Sequence, residues 1–175
     1  MTELKKLVGP VAIALICAGL LTLTNALTGP RIDANYQARE RALLRELLGR
    51  RVSEERLKKA AWREDHLDFC TAELTVSRLN ISGYAGPIQG LLAWQPRQRR
   101  ISGIRITRHL ETPGIADFLN DQAAGGWLSS LLQLTMPQLE QLDTVSGATI
   151  SSAAVQRGVV RVLNEADQAI SRCAG

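Results

Sequence analysis

The run Leu74-Thr75-Val76-Ser77-Arg78-Leu79-Asn80-Ile81 is followed, after Gly86-Pro87, by Ile88-Gln89-Gly90-Leu91-Leu92-Ala93-Trp94. After a polar turn at 95–100 comes Ile101-Ser102-Gly103-Ile104-Arg105-Ile106. Apolar residues tend here toward every second position, the period of a strand with one covered face. Gly86-Pro87 breaks the chain between the first two runs. Strands joined by such short connections run antiparallel, because a parallel neighbour needs a crossover of about a dozen residues or more. The chain reads as α+β, with an antiparallel sheet packed with helices.

Upstream, an uncharged run from Leu7 to Pro30 stands between Lys6 and Arg31. Its apolar part, 7–27, has 21 residues. As a helix it spans about 31 Å, close to the hydrocarbon thickness of a bilayer. Pro10 falls in the expected first turn, where a missing N–H costs little. A cleaved signal peptide is the alternative. Against it, the run is longer than a signal core, and Thr24-Asn25-Ala26 is not a small-x-small cleavage site. Residues 1–30 therefore read as a short cytoplasmic N-terminus and an uncleaved transmembrane anchor. Lys5 and Lys6 favour a cytoplasmic N-terminus, but Arg31, Arg39 and Arg41 follow closely, diluted by Asp33 and Glu40. Charge counting leaves the orientation open.

Residues 31–66 read as a helical connector. After Gly29-Pro30, the segment Ile32 to Leu48 reads as a helix: Ile32, Tyr36, Leu43, Leu44, Leu47 and Leu48 recur near the helical period, and Gly49 ends it. Ser53 stands at an N-cap position, with Glu54 and Glu55 opening a short helix that reaches about Trp62. The domain proper is 67–175. Within it, Thr112-Pro113-Gly114 is a breaker, and a short helix is expected from Ile115 to about Gln122. Trp127 to Leu132 is short and apolar, either strand or helical turn, and Pro137 interrupts the next segment. The clearest helix runs from about Ser151 to Arg172, with Val155, Val159, Val162, Leu163, Ala166 and Ile170 in one stripe. Gly158 within it implies close packing on the sheet.

A net charge of +4 over 175 residues is no nucleic-acid footprint. Arg97, Arg99, Arg100, Arg105 and Arg108 read as a solvated turn and strand face. A docking patch for an acidic partner or lipid headgroups is the other reading. Cys17 lies in the anchor. Cys70 and Cys173 lie in the domain, where an oxidising compartment permits a disulfide, though the sequence does not show that they meet. Neither Cys-x-x-Cys nor His-x-x-x-His spacing occurs, so no metal or iron–sulfur ligation is expected. Ser146 is not in a Gly-x-Ser-x-Gly elbow, so serine-hydrolase chemistry finds no support.

The segment richest in chemistry is Asp143-Thr144-Val145-Ser146-Gly147-Ala148-Thr149, at the entry to the last helix. It puts the Thr149 hydroxyl at a helix N-terminus, where unpaired N–H groups and the helix dipole favour a phosphate. Asp143 can brace the turn through backbone N–H groups. The bland alternative is an ordinary turn with Thr149 or Ser151 as N-cap.

Ser146-Gly147-Ala148-Thr149 resembles the covalent-flavin motif of FMN-binding domains in the Rnf and Na+-pumping NADH:quinone reductase complexes. Gly83-Tyr84-Ala85-Gly86-Pro87-Ile88 and His109-Leu110-Glu111-Thr112-Pro113-Gly114 resemble segments of the RnfG family, a component of the Rnf electron-transport complex. Trp127 also falls where that family carries a tryptophan. The chain departs at Leu110, where lysine is usual, and at Ala116, where glycine is usual. The resemblance implies an FMN-binding domain, with FMN joined to Thr149 by a phosphoester. It implies cofactor contacts at Ser146, Gly147, Ala148, Glu111, Thr112, Tyr84 and Trp127. Glu111 would accept from a ring N–H or lie solvated beside Arg108. Tyr84 and Trp127 would pack first and meet flavin second. The implied function is electron transfer in a bacterial inner-membrane ion-translocating complex, with no soluble substrate turned over by this chain alone. The implied partners are the other Rnf subunits and a flavin transferase, with the domain on the periplasmic side. The alternatives are the C subunit of the Na+-pumping quinone reductase and a cofactor-free tethered binding module.

Overall fold

A computed structural model describes residues 2–120, 126–132 and 134–174. The chain divides into two units, Met1–Leu44 and Arg45–Gly175.

The first unit is helical throughout its described length, as part of α1 (Thr2–Leu48). Val11, Ile13, Leu15, Ile16, Leu20, Leu21, Leu23 and Leu27 are all exposed. A helix apolar all round with no protein cover suits lipid. Its most apolar stretch has a mean hydropathy of 1.5, so the helix is long and apolar enough to cross a membrane. The hydroxyls of Thr22, Thr24 and Thr28 each donate at 2.8 Å to the carbonyl four residues back. These three hydroxyls are thereby satisfied within the helix itself.

Two expectations about this helix are corrected. The anchor and the helix expected from Ile32 are one element: α1 continues through Gly29 and Pro30. Proline deletes one backbone hydrogen bond, and the long helical runs on either side keep their own. Pro10 lies in the third turn rather than the first, because α1 begins at Thr2. Gly49 ends α1 with φ +53, as expected. After a 3-10 turn at Gly49–Arg51, α2 spans Glu54–Lys59, three residues short of the expected end. Ser53 is its N-cap by backbone only, accepting the Leu57 N–H at 3.0 Å.

The second unit is built on a four-stranded antiparallel sheet in the order β1 (His66–Phe69), β2 (Leu74–Ser82), β3 (Pro87–Gln95), β4 (Arg100–Arg108). The three longer strands are those read from the sequence. The edge strand β1 is an addition: four residues are too few for a period to show.

Two register shifts against β3 place extra residues in β4 at Ser102 and Thr107. The spacing of Ile101 and Ile104 is odd, which in a regular strand would put them on opposite faces. The extra residue at Ser102 keeps them together, and both join one buried core with Leu79, Ile81, Ile88, Leu92 and Trp94. On the opposite face, a Cβ at Gly103 would lie 2.8 Å from Leu47 Cδ1. Glu46 pairs with Arg105 there at 2.9 Å.

The core face is covered by α5 (Thr149–Leu163), which buries Val155, Val159, Val162 and Leu163. Gly158 lets it sit tightly, since a Cβ there would meet Ile81 side-chain atoms at 2.7 Å. Two shorter helices, α3 (Trp127–Ser130) and α4 (Met136–Glu140), precede it. Pro137 lies in the first turn of α4 and starts the helix rather than interrupting it. The helix expected from Ile115 is a 3-10 turn at Asp117–Leu119, and its expected end at Gln122 lies outside the described residues.

The expected single helix to Arg172 is divided at Asn164-Glu165, and α6 (Ala166–Ala174) follows. The cause is tertiary. Arg172 donates to Asp68 at 2.8 Å, and Cys173 is disulfide-bonded to Cys70, so α6 is drawn to β1. The disulfide left open by the sequence is present.

Candidate functional site

Three loops meet at the N-terminal end of α5. The first is the β2–β3 turn, closed by the Gly83 N–H donating to the Gly86 carbonyl at 2.9 Å. The second follows β4 and carries Glu111 to Asp117. There the Gly114 N–H donates to Asp117 Oδ1 at 3.0 Å, and Gly114 has φ +86. The third is the 143–149 segment.

The third loop is shaped by a turn in which the Ala148 N–H donates to the Val145 carbonyl at 2.9 Å. Gly147 holds φ +80, the left-handed value that the third position of a type II turn demands. The brace expected of Asp143 is supplied by Ser152 instead. The buried Ser152 hydroxyl accepts the Val145 N–H at 3.1 Å and donates to the Ala148 carbonyl at 2.9 Å. Asp143 contributes its carbonyl, which accepts Trp127 Nε1–H at 2.9 Å. Trp127 is thus a packing residue, as expected. Its ring stands edge-on to Phe118 at 5.3 Å and its indole fixes the start of the third loop.

Thr149 is the first residue of α5 and is exposed. Among the described residues no hydrogen bond engages its hydroxyl. The first α5 amide with a helical partner is that of Ser152, donating to the Ala148 carbonyl at 2.9 Å. The preceding N–H groups are those a helix cannot satisfy internally. The N-cap position belongs to Ala148, so neither Thr149 nor Ser151 caps the helix.

Ser151 is buried and faces the other loops. Its hydroxyl donates to Glu111 Oε2 at 2.8 Å and accepts the Tyr84 N–H at 3.3 Å. Glu111 Oε1 accepts the Ala85 N–H at 3.1 Å. Glu111 is only 8% exposed, not solvated beside Arg108, and both its oxygens have protein donors. Tyr84 departs from the packing role expected of it: its side chain is 75% exposed. Thr112 is exposed, and its carbonyl accepts the Ala116 N–H at 3.1 Å. Ser146 and Gly147 are exposed and Ala148 is buried.

Sequence reasoning missed one feature of this region. Among the described residues of the second unit, the exposed large apolar side chains are Tyr84, Leu110, Ile115 and Ile150. All lie on the three converging segments, and Leu110 reaches the β2–β3 turn, 3.2 Å from where a Gly86 Cβ would stand. Periodicity could not mark them, because they sit in loops and at a helix start. Among the described residues the arrangement offers a free hydroxyl beside unpaired amides, suited to an anionic phosphate, with apolar side chains nearby for a planar ring. It fits FMN in charge and polarity.

Comparison with known proteins gives an independent result. The FMN-binding domain family matches residues 83–164, which contain all three loops. The family described as the RnfG N-terminal region matches residues 11–47. A protein from Stutzerimonas stutzeri, named as the G subunit of an ion-translocating oxidoreductase complex, is 31% identical over 179 residues, covering 87% of this chain and 77% of that one. Its namesake from Pasteurella multocida (strain Pm70) is 29% identical, covering 89% of this chain and 91% of the relative. One from Aliivibrio fischeri is 24% identical, covering 93% and 90%.

Proposed function

We propose, from the premise that this chain belongs to the RnfG family of ion-translocating oxidoreductase complexes, that its FMN is held covalently as a phosphoester on Thr149. The chain is an FMN-carrying electron-transfer component of a membrane complex of the Rnf type, anchored by α1 and assembled with the other subunits. The observation that carries the ester assignment is the contrast among neighbouring hydroxyls. Ser151 and Ser152 are buried and engaged in hydrogen bonds, whereas Thr149 is exposed with its hydroxyl unengaged among the described residues. Ser146 is exposed but lies in the turn ahead of α5, outside the row of free amides.

FMN supplies the redox chemistry, and the protein supplies binding, orientation and electrostatic tuning. The free amides at the start of α5 stabilise the phosphate charge left on Thr149. Tyr84, Thr112 and the Ser146-Gly147-Ala148 turn border the cofactor, while Trp127 holds the acceptor loop in place. Forming the ester replaces the Thr149 hydroxyl proton with the FMN phosphorus. The donor is a flavin phosphoanhydride. The Thr149 Oγ1–P bond forms as the anhydride P–O bond breaks, the rest of the donor leaves as a phosphate, and the hydroxyl proton passes to solvent. A flavin transferase docked on this exposed face handles the exchange. The domain faces the periplasm, with the N-terminus in the cytoplasm. The N-terminal match and the three relatives named above favour this reading over the C subunit of a Na+-pumping quinone reductase. The test is flavin fluorescence that stays with the denatured wild-type chain and is lost from Thr149→Ala.

A further inference from the structure

Glu111 is the buried acid at the centre of the three loops. Its Oε1 accepts the Ala85 N–H at 3.1 Å and its Oε2 accepts the Ser151 hydroxyl at 2.8 Å. Ser151 in turn accepts the Tyr84 N–H at 3.3 Å. One carboxylate thus joins the β2–β3 turn to the first turn of α5, across 26 residues in one direction and 40 in the other. The seat is shaped for it. A Cβ at Gly83 would collide with Glu111 Oε1 and would lie 2.7 Å from Ile88 Cδ1, so only glycine leaves room for the carboxylate. A buried carboxylate is costly unless charge-assisted hydrogen bonds satisfy it, and here each oxygen has a donor. Each oxygen therefore already has a protein donor, and at 8% exposure little of the carboxylate is left facing outward.

We propose that Glu111 is a positioning residue, not a flavin contact. It fixes the Tyr84–Ala85 turn against the acceptor end of α5 and so sets where the exposed Tyr84 side chain stands relative to Thr149. Its influence on the cofactor passes through Ser151 and the two backbone amides. The proposal rests on the FMN reading above for its functional meaning, but its structural part holds without any flavin.

The test compares Glu111→Ala, Glu111→Gln and Ser151→Ala in the full chain. In protein made without the transferase, hydrogen exchange is followed at the Tyr84 and Ala85 amides. Glu111→Ala should speed exchange at both by on the order of tenfold, the effect of losing one charge-assisted hydrogen bond. Ser151→Ala should do so at Tyr84. Glu111→Gln should leave Ala85 close to wild type, because the amide oxygen still accepts. In flavin-loaded protein, the visible circular dichroism of the flavin should change in the same sense in Glu111→Ala and Ser151→Ala, and less in Glu111→Gln, which keeps the acceptor for Ala85 but turns an NH2 toward Ser151. Unchanged amide exchange in Glu111→Ala would overturn the proposal. So would a flavin signal displaced as far in Glu111→Gln as in Glu111→Ala but unchanged in Ser151→Ala, because the charge itself would then act on the ring. Loading is read separately, by fluorescence of the denatured wild-type chain. Its absence would count against the Thr149 ester and leave the exchange result to stand alone.

Discussion

The Ser152 hydroxyl accepts the Val145 N–H at 3.1 Å and thereby closes the loop that presents Thr149. The same oxygen donates to the Ala148 carbonyl at 2.9 Å, so one buried side chain holds both ends of the turn. Ser152→Ala removes both bonds and strands an amide. It should cost about 1–3 kcal/mol of stability, the range for a buried group left unsatisfied. Denaturant unfolding of the variant checks this, and a loss below about 0.5 kcal/mol would show that the loop is held by packing alone.

A second consequence concerns acid. Burial alone would raise the Asp68 carboxyl, but hydrogen bonds from Arg172 and Thr75, with the Arg172 and His66 charges, outweigh it and hold the group below its ordinary value. A depressed folded-state value means the stabilisation is present above the unfolded value, about pH 4, and is lost as pH falls through the folded one. Unfolding free energies measured between about pH 6 and pH 2 should therefore fall less steeply in Asp68→Asn than in wild type. Parallel curves would show that the Arg172 contact contributes nothing linked to that proton.

The Cys70–Cys173 bond closes a loop of 103 residues and ties the C-terminal helix to the sheet edge. Replacing either cysteine by serine should cost about 2–5 kcal/mol, read from the denaturation midpoint. The bond also reports topology. A membrane-impermeant reductant added to intact spheroplasts should expose both thiols to an impermeant maleimide. Labelling only after lysis would put the domain in the cytoplasm.

The Glu111-Thr112-Pro113-Gly114 loop makes a separate prediction. Thr112→Val nearly preserves shape while removing a hydroxyl donor worth about 0.5–1.5 kcal/mol. If that donor favours one redox state, the flavin midpoint should move by about 10–30 mV, since about 30 mV corresponds to 1.4 kcal/mol for two electrons. Attachment to Thr149 should survive, because it lies on another loop. An unchanged potential and spectrum would leave this loop a structural role only.

What the sequence made legible follows from the range of the forces involved. Strand alternation from Leu74 to Ile106 and the α5 stripe are local patterns, so the antiparallel sheet and its covering helix could be read directly. Gly158 was legible for the same reason: a glycine inside an apolar stripe marks close approach, and Ile81 is what it approaches. The division between α5 and α6 was not legible, because it answers to Asp68 and Cys70, about a hundred residues upstream. That the anchor and the helix from Ile32 form one continuous α1 was not legible, because an apolar span and the amphipathic stripe after it are different local patterns. At the site, the turn into α5 could be read from Ser146-Gly147-Ala148-Thr149. The seat of Glu111 could not, since its donors come from Ala85 and Ser151 on two distant segments.

The proposed FMN ester on Thr149 is open to direct observation. The most direct measurement is intact and fragment mass spectrometry of the full chain made together with a flavin transferase, in wild-type and Thr149→Ala forms. The account predicts one FMN phosphoester on the wild-type chain, localised by fragmentation to Thr149. It predicts none on the variant, whose fold persists because the Thr149 hydroxyl caps nothing. An FMN mass on Ser146, Ser151 or Ser152, or one retained by Thr149→Ala, would contradict it.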